Sequence, residues 1–81
     1  MESRQVATVI VESIIRARPA LASTPEHDVL QMTLADLALD SLDATTLSLD
    51  IEDACQMFVE PEDITNCETL SDLVALVARK P

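Results

Sequence analysis

The segment Leu34-Ala-Asp-Leu-Ala-Leu-Asp-Ser-Leu-Asp43 carries the most informative signals in this chain of 81 residues. Asp40 is a preferred N-cap residue, and Asp43 lies three positions later, as in the capping box that marks a helix start. Acidic groups here also favour the positive end of the helix dipole. The sequence therefore predicts a helix that begins at Asp40 or Ser41.

Downstream of Ser41, apolar residues recur at steps of three and four positions. Residues at this spacing share one face of a helix, so they predict the face that packs into the core. The predicted core face consists of Ala44, Leu47, Ile51, Ala54, Cys55 and Phe58. Leu42 and Leu49 fall outside it among carboxylates, which indicates a place for a partner to dock unless they also fold into the bundle.

A helix and a loop are predicted before this segment. The first helix covers residues from about 4 to 18, and Pro19 ends it. Its apolar face consists of Val6, Val9, Ile10, Ile14 and Ala17. Residues 19–33 are predicted to be a loop, with room for a short helical turn after Pro25.

The C-terminal part contains a short helix and a last main helix. Pro61 favours the first position of a helix that runs to about Asn66. Thr69 and Asp72 form a capping-box signature for a helix over residues 70–79. Its core face consists of Leu70, Leu73, Val74 and Val77. The fold class is therefore all-α, a small four-helix bundle of three main helices and one short helix, with residues 1–81 as a single domain.

Charge is distributed very unevenly along the chain. The formal net charge is −10, and residues 26–72 include 13 acidic residues and no lysine or arginine. The basic residues are Arg4, Arg16, Arg18, Arg79 and Lys80, the last two at the negative end of the predicted final helix. Such a field repels nucleic acid and anionic membranes and attracts basic partners. The alternative is that these acids only keep the protein soluble.

Composition argues against an enzyme. The chain has no glycine, so it lacks a glycine-rich phosphate loop, a dinucleotide fingerprint and a nucleophile elbow. Its single histidine, His27, has no recognisable catalytic partners. Asp36, Asp40 and Asp43 lack the ligand spacing of an EF-hand, so no metal site is predicted.

The two cysteines are interpreted as reduced core residues rather than a disulfide. Cys55 and Cys67 lie among apolar residues and fit no metal-ligand spacing. No secretory signal is visible, and no apolar run is long enough to span a membrane. We therefore expect a cytoplasmic protein.

The segment around Ser41 closely resembles the attachment site of acyl carrier proteins, whose hallmark is Asp-Ser-Leu at the start of the second helix. The resemblance is carried by Asp40-Ser41-Leu42, by Leu34 and Leu37 before it, and by Val59, Thr69 and Leu70 after it. This register holds from Leu34 to Leu70 without a gap. The likeness covers the whole chain in helix layout and about half of it residue by residue.

The resemblance implies that Ser41 carries a 4'-phosphopantetheine arm, attached by a phosphopantetheinyl transferase, and that the thiol of the arm carries acyl groups as thioesters. It also implies partners with basic docking patches, namely acyl-activating or ketosynthase-type enzymes, and a monomer that moves between them. The predicted docking face consists of Asp40, Leu42, Asp43, Thr46, Leu49, Asp50, Glu52 and Asp53. The predicted acyl cavity consists of Leu47, Ile51, Cys55, Val59, Ile64 and Cys67.

The chain departs from the family pattern at several positions. Ala38 stands where the family usually has glycine, and Thr46 stands where glutamate is common, after Thr45 in place of an aliphatic residue. Cys55 and Cys67 replace a phenylalanine and an isoleucine, which enlarges the interior unless Met57 and Phe58 fill the space. These differences point to a specialised, stand-alone carrier. The resemblance implies that it serves a fatty acid, polyketide or related lipid pathway, and the residues do not say which of these it is.

Two other functions stay open. Peptidyl or amino-acyl carriers share the helix layout, although they usually have glycines before the serine, where this chain has Ala38. An acidic helical adaptor without a covalent arm would have a similar composition. Ser41 separates these possibilities, because an adaptor tolerates its replacement by alanine and a carrier does not.

Overall fold

The chain folds into five α-helices in a computed structural model that describes residues 2–79. The helices are α1 (Ser3–Ala17), α2 (Glu26–Gln31), α3 (Ser41–Cys55), α4 (Pro61–Thr65) and α5 (Leu70–Arg79). A 3-10 helix, Pro19–Ser23, follows α1. The predicted all-α bundle with three long helices is confirmed by α1, α3 and α5, and the predicted short helix is α4. Lys80, placed by the sequence at the end of the last helix, lies outside the described residues.

The segment 19–33, predicted to be mostly loop, is largely helical. Pro19 occupies the first turn of the 3-10 helix, where its missing N–H costs no hydrogen bond. The turn expected after Pro25 is the complete helix α2, with Glu26 and Asp28 in its first turn. Val29 is fully buried, so α2 is held by packing against the core more than by its own propensity.

The core lies between the three long helices. It contains Val6, Ile10 and Ile14 of α1, Ala44, Leu47 and Ile51 of α3, and Leu70, Leu73, Val74 and Val77 of α5. Of the face predicted for α1, Val9 is half-buried and Ala17 is exposed. Aliphatic side chains of this size each contribute about 1.5–3 kcal/mol when fully buried. Among residues 2–79, no helix combines the length and the apolar character needed to cross a membrane.

The core face predicted for α3 is correct in its first part and wrong at its end. Ala44, Leu47, Ile51 and Cys55 are buried, but Ala54 is exposed and Phe58 is 53 % exposed. The helix ends at Cys55, and Gln56 has φ 57°, which is left-handed. This turn breaks the helical spacing, so Phe58 does not continue the stripe. Met57 packs partly against the core, whereas Phe58 does not fill the space beside Cys55.

Gln56 offers a test of this helix end. A left-handed conformation costs a non-glycine residue roughly 1–2 kcal/mol, and glycine is favoured where a helix ends in this way. We expect Gln56→Gly to stabilise the protein by about 0.5–1 kcal/mol, measured by chemical denaturation. Ala54→Gly, two residues earlier within α3, should destabilise it by about 1 kcal/mol. Equal effects of the two changes would contradict a left-handed Gln56.

Candidate functional site

Ser41 is the first residue of α3 and is exposed. The N–H of Asp43 donates to Oδ1 of Asp40 at 2.8 Å, and the N–H of Asp40 donates to Oδ2 of Asp43 at 3.3 Å. These two bonds complete the predicted capping box. The structure therefore presents Ser41 at a helix start that its own acidic neighbours hold in place.

The turn that precedes Ser41 is anchored at both of its ends. Leu37 is buried, and the N–H of Leu39 donates to the carbonyl of Leu34 at 3.2 Å. The N–H of Leu34 in turn donates to the carbonyl of Glu68 at 3.1 Å, just before α5. Between these contacts, Ala38 has φ 54°, the left-handed region that favours glycine. Ala38, which stands where the resemblance led us to expect glycine, therefore adopts a conformation that glycine takes more easily.

Arg18, at the end of α1, reaches this turn from a distant part of the sequence. Its Nε donates to the carbonyl of Leu37 at 3.1 Å, and its Nη2 donates to the carbonyl of Ala38 at 3.0 Å. Nη2 also lies 3.0 Å from Oδ2 of Asp43. No periodicity or local motif in the sequence indicated this role, and the charge pattern only placed Arg18 among the basic residues near the chain ends.

The guanidinium of Arg18 and, secondly, the backbone N–H of Asp40 lower the pKa of Asp43 below its ordinary value of 3.8. A carboxyl group whose pKa is lowered by folding stabilises the fold at pH values above its ordinary pKa. This contribution is lost as the pH falls through the lowered pKa of the folded state. We expect the difference in Tm between the native chain and Asp43→Asn to be largest above pH 3.8 and to shrink in stronger acid.

Thermal unfolding followed by circular dichroism over a pH series checks this expectation. Asp53→Asn is the matched control, because it removes one carboxylate from an exposed position of the same helix. A constant difference between the native chain and Asp43→Asn across the acid range would contradict the ion-pair explanation.

The predicted docking face contains six exposed residues and two aspartates that form ion pairs within the protein. Leu42 is 72 % exposed and Leu49 is 58 % exposed, so neither folds into the bundle. Asp40, Thr46, Glu52 and Asp53 are also exposed on α3 or at its start. Asp43 is engaged by Arg18, and Asp50 accepts hydrogen bonds from Arg16 and from the buried hydroxyl of Ser13. The structure thus ties Asp43 and Asp50 to α1 and leaves the other six residues accessible.

A surface groove continues this face beyond the predicted residues. It is lined by Leu49, Glu52, Asp53, Gln56, Met57 and Phe58 at the C-terminal end of α3. Phe58 was predicted to be in the core and therefore was not considered as a surface residue. Its exposure adds an apolar contact next to two carboxylates.

The residues of the predicted acyl cavity lie mainly in the core. Leu47, Ile51, Cys55, Val59 and Ile64 are buried, whereas Cys67 is half-buried and lines a surface groove between α4 and α5. The buried hydroxyl of Ser48 donates to the carbonyl of Val59 and so ties α3 to the segment that follows it. The sequence did not identify Ser48 as a core residue.

The two cysteine thiols are free and stay protonated near neutral pH. Burial raises the pKa of Cys55 and the pKa of Cys67, and the nearby carboxylates Asp72 and Asp63 raise the latter further. Neither thiol therefore has the lowered pKa of a reactive cysteine. Within residues 2–79, no group of three or more His, Cys, Asp or Glu side chains is placed to hold a metal ion.

Comparison with known proteins agrees with this geometry. The family model described as the phosphopantetheine attachment site matches residues 13–77, which are 65 of the 81 residues. The matched region contains the turn before Ser41, all of α2, α3 and α4, most of α5 and the C-terminal third of α1. Comparisons with curated proteins and with solved structures found no significant match. Because the family model spans most of the chain, this protein belongs to the phosphopantetheine attachment family, whose domains carry the 4'-phosphopantetheine group and serve as carriers.

Proposed function

We propose that Ser41 is the attachment residue and that the loaded chain presents acyl thioesters to enzymes of a fatty acid, polyketide or related lipid pathway. The observation that carries this proposal is the exposed serine at the first position of α3, enclosed by the Asp40–Asp43 capping box. Family membership supplies the cofactor, and this position supplies the residue that would hold it.

The surroundings of Ser41 fit a covalently attached phosphate. The first residues of a helix have backbone N–H groups and a positive dipole end, both of which favour a negatively charged phosphodiester. Asp40, Leu42 and Thr45 around Ser41 are all exposed, so they leave the approach to the serine open. Arg18 offsets the charge of Asp43, which would otherwise repel the phosphate.

The attachment reaction needs little from the chain beyond this hydroxyl. The Ser41 oxygen forms a bond to the phosphorus of the pantetheine phosphate, the bond between the two phosphates of coenzyme A breaks, and the adenine nucleotide leaves. The transferase takes up the hydroxyl proton and supplies the metal ion. Both side chains of the capping box are carboxylates that bond to backbone N–H groups, and we assign the activation of the Ser41 hydroxyl to the partner enzyme.

The exposed part of the docking face suits partners with basic and apolar surfaces. Glu52 and Asp53 lie beside Leu49 and Phe58 in the groove at the end of α3. Individual exposed ion pairs contribute only up to about 1 kcal/mol, so the acids mainly guide approach and orientation. Partner binding on this face should therefore weaken as the salt concentration rises.

The test is the intact mass of the chain after incubation with coenzyme A, Mg²⁺ and a broad-specificity phosphopantetheinyl transferase. The expected result is a gain of one phosphopantetheine group, located at Ser41 by fragmentation of the loaded chain. No gain with several transferases, while circular dichroism shows an intact helical fold, would overturn the proposal and favour the acidic adaptor.

The class of thioester is tested on the loaded chain. Acyl-activating enzymes supplied with fatty acids of different length, and amino-acid-activating enzymes supplied with amino acids, are compared by mass spectrometry. We expect fatty acyl or similar acyl groups to be transferred. Transfer of amino acids alone would make the protein an amino-acyl carrier.

A further inference from the structure

We propose that Arg18 is a positioning residue for the attachment site, in which its guanidinium holds the Leu37–Ala38 turn and Asp43 in the arrangement that presents Ser41. This inference rests on the proposed function of Ser41. It assigns a role to a residue that lies 23 positions before that serine, at the far end of α1.

Arg18 makes several directed contacts with one short segment. Nε donates to the Leu37 carbonyl, and Nη2 donates to the Ala38 carbonyl and to Oδ2 of Asp43, all at 3.0–3.1 Å. A guanidinium is planar and has donors in a fixed fork, so it holds such acceptors in a defined relation. The side chain is only one-third exposed, which reduces competition from water for these contacts.

The turn needs such support because of Ala38. Its φ of 54° is disfavoured for a residue with a Cβ atom, and the chain has no glycine to place there. Arg18 donates directly to the carbonyl of this residue and to the carbonyl before it. The guanidinium therefore offsets the conformational penalty at the position where glycine would remove it.

Arg18 also balances charge at the start of α3. The stretch from residue 26 to 72 has no lysine or arginine, so α3 and the turn before it cannot supply a cation themselves. Asp40 and Asp43 flank Ser41 closely, and Arg18 contacts the second of them. Removal of Arg18 takes this ion pair away from a carboxylate that lies two positions after the serine that must bond to a phosphate.

Arg16 provides the matched control. It lies in the last turn of α1, two residues before Arg18, and its Nη2 contacts Oδ2 of Asp50 at 3.2 Å, so it joins α1 to α3 through an ion pair. Its contact is far along α3 from Ser41 and does not involve the Leu37–Ala38 turn. If the loss of a positive charge or of one ion pair to α3 were enough to slow phosphopantetheine transfer, Arg18→Ala and Arg16→Ala would slow it equally.

The experiment measures kcat and KM of phosphopantetheine transfer to the native chain, Arg18→Ala, Arg18→Lys and Arg16→Ala, at a temperature where circular dichroism shows each of them folded. We expect Arg18→Ala to lower kcat about tenfold while KM for the carrier changes little, because misplaced reacting groups slow the bound complex. Arg18→Lys should be intermediate, since it keeps the charge but not the fork. Arg16→Ala should stay within about twofold of the native chain.

A glycine rescue separates positioning from direct contact with the transferase. Introducing Ala38→Gly into Arg18→Ala should recover part of the lost kcat, because glycine adopts the left-handed turn without help. NMR of residue 38 gives a readout independent of loading, with loss of the left-handed conformation expected in Arg18→Ala and its return in the double variant.

The outcomes distinguish the two proposals. Failure of the native chain to be loaded would overturn the proposed function. Normal loading of the native chain combined with an unchanged kcat for Arg18→Ala, equal effects of Arg18→Ala and Arg16→Ala, or a rise in KM alone would overturn the positioning role of Arg18.

Discussion

Ser41→Ala is expected to abolish phosphopantetheine loading completely while the helical fold stays intact. The change removes the only atom of residue 41 that can bond to the phosphate. It spares the capping box, because both of its bonds are made by Asp40 and Asp43. Intact mass after incubation with the transferase measures the result, and far-UV circular dichroism verifies the fold.

Ser71→Ala is the matched control for this variant. Ser71 is exposed in the first turn of α5, and a second capping box, between Thr69 and Asp72, encloses it. It is therefore a helix-start serine beside an aspartate that lacks the Leu34–Asp40 segment before it. Ser71→Ala should load as the native chain does. A mass gain that persists in Ser41→Ala would place the arm on another residue.

Ile51→Ala should have the largest effect on stability of the variants considered. Ile51 lies in α3 and is fully buried in the core. Removing a buried aliphatic side chain of this size typically costs about 2–5 kcal/mol. In a domain of this length each kcal/mol lowers Tm by about 4–8 °C, so the expected decrease is on the order of 15 °C. Because small domains have little stability to spare, partial unfolding at 37 °C is expected.

Leu49→Ala is the control, because it shortens a side chain of similar size two positions earlier on the same helix. Leu49 is 58 % exposed, and surface changes of this kind usually stay within about 0.5 kcal/mol. Thermal and chemical denaturation of both variants measure the difference. Similar destabilisation by the two changes would show that α3 packs with a different face inward.

Features that depend on neighbouring residues could be predicted from the sequence. The starts of α3 and α5 follow from acid and hydroxyl side chains three positions apart, which act within one helical turn. The core face of α5 follows from strict helical spacing and is buried as predicted. The exposure of Leu42 and Leu49 follows from the same spacing in α3.

Features that arise where a helix ends, or from contacts between residues far apart in sequence, could not be predicted from local patterns. The left-handed Gln56 ends the helical spacing of α3, so the core face predicted through Phe58 extends too far. The helix α2 is too short to be stable by its own propensity, and the packing of Val29 and Leu30 against the core supports it. The pairing of Asp50 with Ser13 and Arg16 likewise arises where α1 and α3 pack together.

The sequence by itself determined the fold class, because helix caps and apolar spacing act over three or four residues. Its resemblance to acyl carrier proteins made Ser41 the attachment candidate. Only the tertiary structure decided how that serine is held. Arg18 meets the Leu37–Ala38 turn and Asp43 because α1 ends beside the start of α3. Contacts across about 20 residues depend on helix packing, and no local pattern in the chain encodes them.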